Sequence, residues 1–304
     1  MLLSYKNRSG STFLINKLDQ YLEVCSVPEG GNIVNLLDNI NNEFTKELHN
    51  QILEKCQNPN DKMYAWRLFP KDLQRLKKCK VNWEAFKIIL EAYRDKFNPK
   101  AKFIVFKHPK INKVIASLDV QFVNNNNIYI ITLIRDGRAI YASSKSNKQS
   151  GINIPMEVNP FISAKGWRHF LNEVEKHRNT LPSNIYFIIK YEDLVLKYED
   201  VMKNLVNSIG IREETSKSIL SQKIHEQQKH LHPNVDKRPD VRRINNWKSA
   251  LSNREIYAFQ YKNTALLKKY GYEIYQGRYS SLLRSLDWLY YMFKSVWYKI
   301  KFFK

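Results

Sequence analysis

The chain has 304 residues, with 50 Lys+Arg against 29 Asp+Glu and a formal net charge of +21. Hydrophobic residues at 43% and charged residues at 26% exclude an intrinsically disordered chain, and only 9 Gly and 10 Pro exclude collagen-like and mucin-like ones. The positive excess implies an anionic partner without choosing among nucleic acid, anionic lipid, a charged nucleotide and other phosphorylated or sulfated ligands.

In chain order, Leu2–Tyr5 reads as a short buried strand. The turn Lys6-Asn7-Arg8-Ser9-Gly10 follows, then a helix from about Ser11 to Tyr21 with Leu14, Leu18 and Leu22 at helical spacing. Residues 31–57 carry an apolar stripe from Ile33 to Ile52 that predicts one helix, and 82–97 predicts another. Lys102–Lys107, Ile128–Ile134 and Ile185–Lys190 are continuous apolar runs, the pattern of strands covered on both faces. Helical stretches at about 110–123, 138–148 and 161–180 separate them, which is the βαβ rhythm of an α/β domain. Asn124–Asn127 reads as a polar turn, Lys229–Arg243 as a basic loop and Asn253–Tyr270 as a helix ending at Gly271. One domain over 1–275 and a distinct tail over 276–304 are expected.

Met1–Tyr5 is too short for the apolar segment of a secretory signal, and Lys6 and Arg8 follow it. Trp288–Phe293 is bracketed by Asp287 and Lys294, far short of the roughly 20 apolar residues that span a bilayer. Cys25, Cys56 and Cys79 are odd in number and widely spaced, so a reducing, cytoplasmic setting is the expectation. No His, Cys or carboxylate cluster has metal-ligand spacing, and no metal is expected.

The strand, loop and helix from Ser4 to Leu14 carry the clearest chemistry. Small residues between a buried strand and a helix turn backbone N–H groups outward, and the helix N-terminus adds partial positive charge, which suits a phosphate or sulfate. By itself the segment is equally an ordinary Ser-Gly turn capping a helix. It is not a Walker A loop, because Arg8 precedes the glycine and no lysine follows it.

Arg8-Ser9-Gly10-Ser11-Thr12 after a strand resembles the 5′-phosphosulfate loop of sulfotransferases that use 3′-phosphoadenosine 5′-phosphosulfate (PAPS). Their second element, a strand ending in Arg with Ser eight residues on, is similar to Leu133–Ser143, with Arg135 and Ser143 in those places. The resemblance implies a P-loop-like three-layer α/β fold with a central, mostly parallel sheet flanked by helices. It also implies that Arg135 and Ser143 hold the 3′-phosphate while Arg8 and the N–H groups of Ser9, Gly10, Ser11 and Thr12 hold the 5′ end. Tyr191 in Tyr191-Glu192-Asp193 looks like the tyrosine that contacts adenine. Arg242 and Arg243, ahead of Trp247, resemble the basic segment that closes over the nucleotide.

In the Golgi-type and tyrosylprotein sulfotransferases a lysine of a Lys-x-Pro segment reaches the transferring group, and Lys107 in Lys107-His108-Pro109 resembles it. Glu29 stands 21 residues beyond Arg8, the separation that looks like tyrosylprotein sulfotransferases, and is the favoured base. His108 is its rival, by likeness to the Lys-Thr-His segment of cytosolic members. The implied reaction is in-line sulfuryl transfer to a hydroxyl or amine of an acceptor.

In the tail, Leu282, Leu286, Leu289, Phe293, Val296, Ile300 and Phe303 recur at spacings of four and three, on one face of a C-terminal amphipathic helix. Arg284, Lys294, Lys299, Lys301 and Lys304 make the remainder basic, so 278–304 fits either an anionic membrane surface or packing on protein. The rival functions are a basic nucleic-acid binder, against which no zinc-finger or homeodomain-like module is present, and a P-loop-type small-molecule kinase, which lacks the Walker lysine.

Overall fold

Five short apolar runs make one sheet in a computed structural model that describes residues 1–28, 32–38, 40–59, 61, 64, 66, 68–147, 155–215, 240–277 and 279–302. The strands are β1 (Leu2–Tyr5), β2 (Val24–Ser26), β3 (Phe103–Lys107), β4 (Ile130–Ile134) and β5 (Tyr186–Lys190). Their order is β2-β3-β1-β4-β5 and every pairing is parallel. Each connection must therefore cross over, and the crossovers carry helices that cover both faces. This is why β1 and β4 are apolar and buried at nearly every position instead of alternating.

Successive residues of β1 point into different cores. Leu2 joins Trp66, Phe86, Tyr93 and Phe106 on one face. Leu3 joins Leu14, Ile15, Ile131 and Leu133 on the other. A third apolar cluster, around Tyr141, Trp167, Trp247 and Phe259, packs beyond the carboxyl end of β4. The result is the expected three-layer α/β arrangement.

The chain leaves β1 for β2, returns to fill the gap with β3, and then crosses to β4 on the far side of β1. The winding reverses at β1, so the carboxyl ends of β3, β1 and β4 lie side by side. In open α/β sheets that reversal is where ligands bind.

Several elements differ from the sequence expectation. The run 31–57 is not one helix: a 3-10 turn at Asn32–Val34 and a short helix at Asn35–Asp38 precede a separate helix at Lys46–Gln57, whose Thr45 accepts from Leu48 N–H at 3.2 Å. That side-chain cap starts a new helix regardless of the apolar spacing across it. The 110–123 stretch divides into Ile111–Ile115 and Val120–Asn125, the second capped by Asp119 and running through two of the four consecutive asparagines. The 253–270 helix divides into Asn253–Gln260 and Thr264–Lys269 around the fully buried Asn263. The Asn263 side chain donates to the Ala164 and Phe259 carbonyls at 3.2 and 2.9 Å. Only three residues long, β2 has no periodicity to reveal it. Most of the expected basic loop, from 229 to 239, lies outside the described residues.

The helix Ser281–Phe302 packs by one face on the helices Pro160–Thr180 and Asn253–Gln260. Among the described residues no helix is long and apolar enough to cross a membrane.

Candidate functional site

The loop after β1 is bent by two left-handed residues, Arg8 at φ 71° and Gly10 at φ 93°. For Arg8 that conformation is strained. At Gly10 it comes without cost, and a Cβ there would lie 2.5 Å from two ring carbons of Tyr191. The bend starts the helix Ser11–Leu18 with its N-terminus facing outward at the sheet's carboxyl edge. Ser9 N–H closes the turn onto the Lys6 carbonyl at 3.1 Å, so it does not face outward as the motif suggested. The first-turn N–H groups of Ser11 and Thr12 have no intrahelical carbonyl to receive them.

Arg135 follows β4 and is 8% exposed. Its Nη1 donates to the Arg8 carbonyl and its Nη2 to the Arg243 carbonyl, both at 2.9 Å. Its guanidinium lies 4.1 Å from the centre of the Tyr191 ring. Trp167 Nε1 donates to the Arg135 carbonyl at 2.9 Å, which fixes the strand end from behind. Arg8 Nε donates to Ser143 Oγ at 3.1 Å. Lys107, 7% exposed at the end of β3, donates from Nζ to Thr12 Oγ1 at 3.3 Å and sits 5.4 Å from the centre of the Tyr5 ring.

Cations are thus crowded together here. Burial lowers the Arg8 pKa first, and the neighbouring Arg135 and Arg243 lower it further. Burial likewise lowers that of Arg135, with Tyr191, Glu192 and Asp136 opposing and Arg243 adding to the shift. Among the described residues no carboxylate forms an ion pair with Arg8 or Arg135. Two buried donors in this cluster, Ser9 Oγ and Arg135 Nε, have no hydrogen-bond partner among the described residues. Leaving such a group unpaired costs about 1–3 kcal/mol, a cost that a polar ligand reaching either one would offset. The cluster therefore fits an anionic ligand with more than one charged group.

Of the residues singled out in the sequence, the structure gathers Arg8, Ser9, Gly10, Ser11, Thr12, Lys107, Arg135, Ser143, Tyr191 and Arg243 at this edge. Arg242 does not join them: it points to Asp240, which accepts from its Nε at 2.9 Å and its Nη2 at 3.1 Å. Trp247 does not lie over an open cleft. It is 2% exposed, with the Arg138 guanidinium 3.9 Å from its ring centre. His108 forms a turn, its Nδ1 accepting Lys110 N–H at 3.2 Å. Glu29 lies outside the described residues.

Sequence reasoning missed the brace behind the site. Arg138 is fully buried and pairs with Asp136 through its Nη2 at 2.7 Å and its Nε at 3.1 Å, so its charge is neutralised within the chain. Glu192 accepts Asp136 N–H at 2.9 Å and the Tyr272 hydroxyl at 3.3 Å, and its burial raises its carboxyl pKa. The only local signal for this brace is the Asp136-Gly137-Arg138 spacing, which does not reveal that the pair is buried. Lys6, half-buried beside Gly166, has its ammonium pKa lowered by burial, with Glu157 opposing.

A sequence model of the sulfotransferase family matches residues 6–215, more than half of the chain. No curated protein sequence gives a significant match. The structure resembles the sulfotransferase domain from the Synechococcus PCC 7002 olefin synthase, with a TM-score of 0.59 at 16% identity over 90% of this chain and 94% of that one. It also resembles the sulfotransferase domain from the curacin biosynthetic pathway, with a TM-score of 0.54 at 14% identity over 90% of this chain and 98% of that one. At these identities the likeness is one of fold.

Proposed function

The chain belongs to the sulfotransferase family, and on that footing we propose that it transfers a sulfuryl group from PAPS to a hydroxyl or amine of an acceptor such as a glycan, lipid headgroup, metabolite or tyrosine. The observation that carries the choice of donor is the cluster of Arg8, Arg135 and Arg243 with Ser143, joined by direct hydrogen bonds across three widely separated stretches of chain. A donor with phosphate at two ends suits that cluster better than one with a single phosphate chain.

When bound, PAPS supplies the sulfuryl group and leaves as 3′-phosphoadenosine 5′-phosphate (PAP). Arg8, Lys107 and the N–H groups of Gly10, Ser11 and Thr12 hold the 5′ end and stabilise negative charge developing on its bridging oxygen. Arg135, Ser143 and Arg243 hold the 3′-phosphate, and Tyr191 packs beside the base. With Arg242 engaged by Asp240, Arg243 is the member of that pair assigned to the phosphate. Glu29 takes the acceptor's proton, a contribution of about 10²–10⁴-fold. His108 is the rival base, its Nδ1 accepting the Lys110 N–H at 3.2 Å. The proposed setting is cytoplasmic, with 1–275 as the catalytic unit.

Titration calorimetry without magnesium against PAP, ATP and a DNA duplex tests the reading, and binding of PAP alone is expected. Arg8→Ala and Lys107→Ala are each expected to lower turnover by about 10²–10³-fold. Near-normal rates in both, or preference for ATP or the duplex, overturn it.

A further inference from the structure

The helix Ser281–Phe302 has two faces with different fates. One is tied to the domain. Asp287 is 1% exposed, paired with Arg254, and accepts the Tyr279 hydroxyl at 2.7 Å. Tyr291 is buried with its ring edge-on to Phe161 at 6.4 Å, and Asn159 Nδ2 donates to Met292 Sδ at 3.6 Å. Helical geometry, about 100° per residue, puts Leu282, Leu286, Leu289, Phe293, Val296 and Ile300 on the opposite face. Each of these six is between 46% and 73% exposed. Because the Asp287 face is held by an ion pair and a buried ring, the helix cannot roll its apolar stripe inward.

The surroundings of the stripe are cationic. Lys294 lies 5.7 Å from the Tyr290 ring centre and Lys301 4.7 Å from that of Trp297. Between this helix and the domain is a cavity of about 540 Å³ with Phe161, Phe259, Trp288 and, at the margin of the stripe, Leu289 among its apolar walls and Lys165, Lys262 and Arg284 among its charged ones. We propose that this face seats the protein on the surface of an anionic phospholipid bilayer, the helix lying in the interface with its stripe among the acyl chains and the neighbouring cations against the headgroups.

Charge decides the occupant. A second copy would bring another chain of net charge +21 and the same lysines against this face, whereas anionic headgroups are complementary to it. Apolar burial and charge attraction together give stable interfacial binding where either alone is marginal. The seat is also close to the catalytic edge: Phe161, which meets Tyr291, is six residues, or about 9 Å of helix rise, from the Trp167 that holds Arg135.

The test is flotation of the full chain with vesicles of phosphatidylglycerol and phosphatidylcholine, and with phosphatidylcholine alone. The chain is expected to float with the anionic vesicles and at least about tenfold more weakly with the neutral ones. Leu289→Glu combined with Phe293→Glu is expected to lose about tenfold or more of the anionic-vesicle binding, because both side chains leave the acyl region. PAP affinity, measured alongside, is expected to be unchanged, which separates loss of docking from loss of fold or of the donor site. Equal flotation of wild type and variant overturns the proposal. So does no flotation of the wild type, or a wild-type dimer in sedimentation that the variant abolishes.

Discussion

The two edges of the sheet handle positive charge in opposite ways. At the amino edge, the buried Glu23, just ahead of β2, holds Lys102 Nζ at 2.7 Å and Arg212 Nε at 2.8 Å. It ties the starts of β2 and β3 to the segment after the helix Tyr198–Ile209. At the carboxyl edge, Arg8, Arg135 and Arg243 face one another, with carbonyls and a hydroxyl as partners, and among the described residues no carboxylate is paired to Arg8 or Arg135. Cations neutralised within the chain hold the fold together. Cations left against their own kind cost stability, and on the proposed reading the donor's phosphates offset that cost.

Three experiments sharpen or break that contrast. The largest effect is expected from Gly10→Ala, which puts a Cβ into the Tyr191 ring at a left-handed position. It should cost about 1–3 kcal/mol of stability and displace the loop from Arg135, seen together as a lower thermal midpoint and weaker PAP binding. A variant that keeps both would show that the loop is not held as described.

Acid should act next, and at the amino edge. Pairing with Lys102 and Arg212 depresses the Glu23 pKa from an ordinary 4.5 to about 2, so the contribution to stability is complete above 4.5 and is lost as pH falls through about 2. Glu23→Gln should lower the unfolding midpoint at neutral pH and flatten its decline over that window. Parallel acid limbs for the two proteins would remove the clamp.

The smallest effect belongs to Arg8→Gln. Taking one cation out of the crowded edge should leave the thermal midpoint of the ligand-free protein unchanged or raised, with ΔΔG within about 0.5 kcal/mol on the destabilising side. PAP affinity should nonetheless fall. Marked destabilisation would mean that the carboxyl-edge cations serve the fold, as those at the amino edge do.

Four of the five strands were legible because a strand buried on both faces is apolar throughout. The fifth, Val24–Ser26, is held by Asp19 Oδ1 accepting Ser26 N–H at 2.9 Å and by its pairing with β3, which lies about 80 residues away in sequence. The loop at Arg8–Thr12 was legible because a tight turn from strand to helix needs small residues and a glycine, which are adjacent in the chain, and Arg135 because it directly ends an apolar strand run. The neighbours Arg242 and Arg243 were not separable by sequence, since only the position of Asp240 turns one away while the other meets Arg135. Arg138 could have been any surface arginine; its burial against Asp136 and Trp247 depends on a segment more than 100 residues later.

Sequence alone determined the layered α/β architecture and the glycine-bent loop that starts the first helix at the sheet's edge, because both follow from patterns within a few consecutive residues. Tertiary structure decided which cations are neutralised and which are left facing each other, and which side of the last helix is tied down. Those outcomes depend on what distant segments bring to within hydrogen-bonding distance, and no spacing along one chain records that.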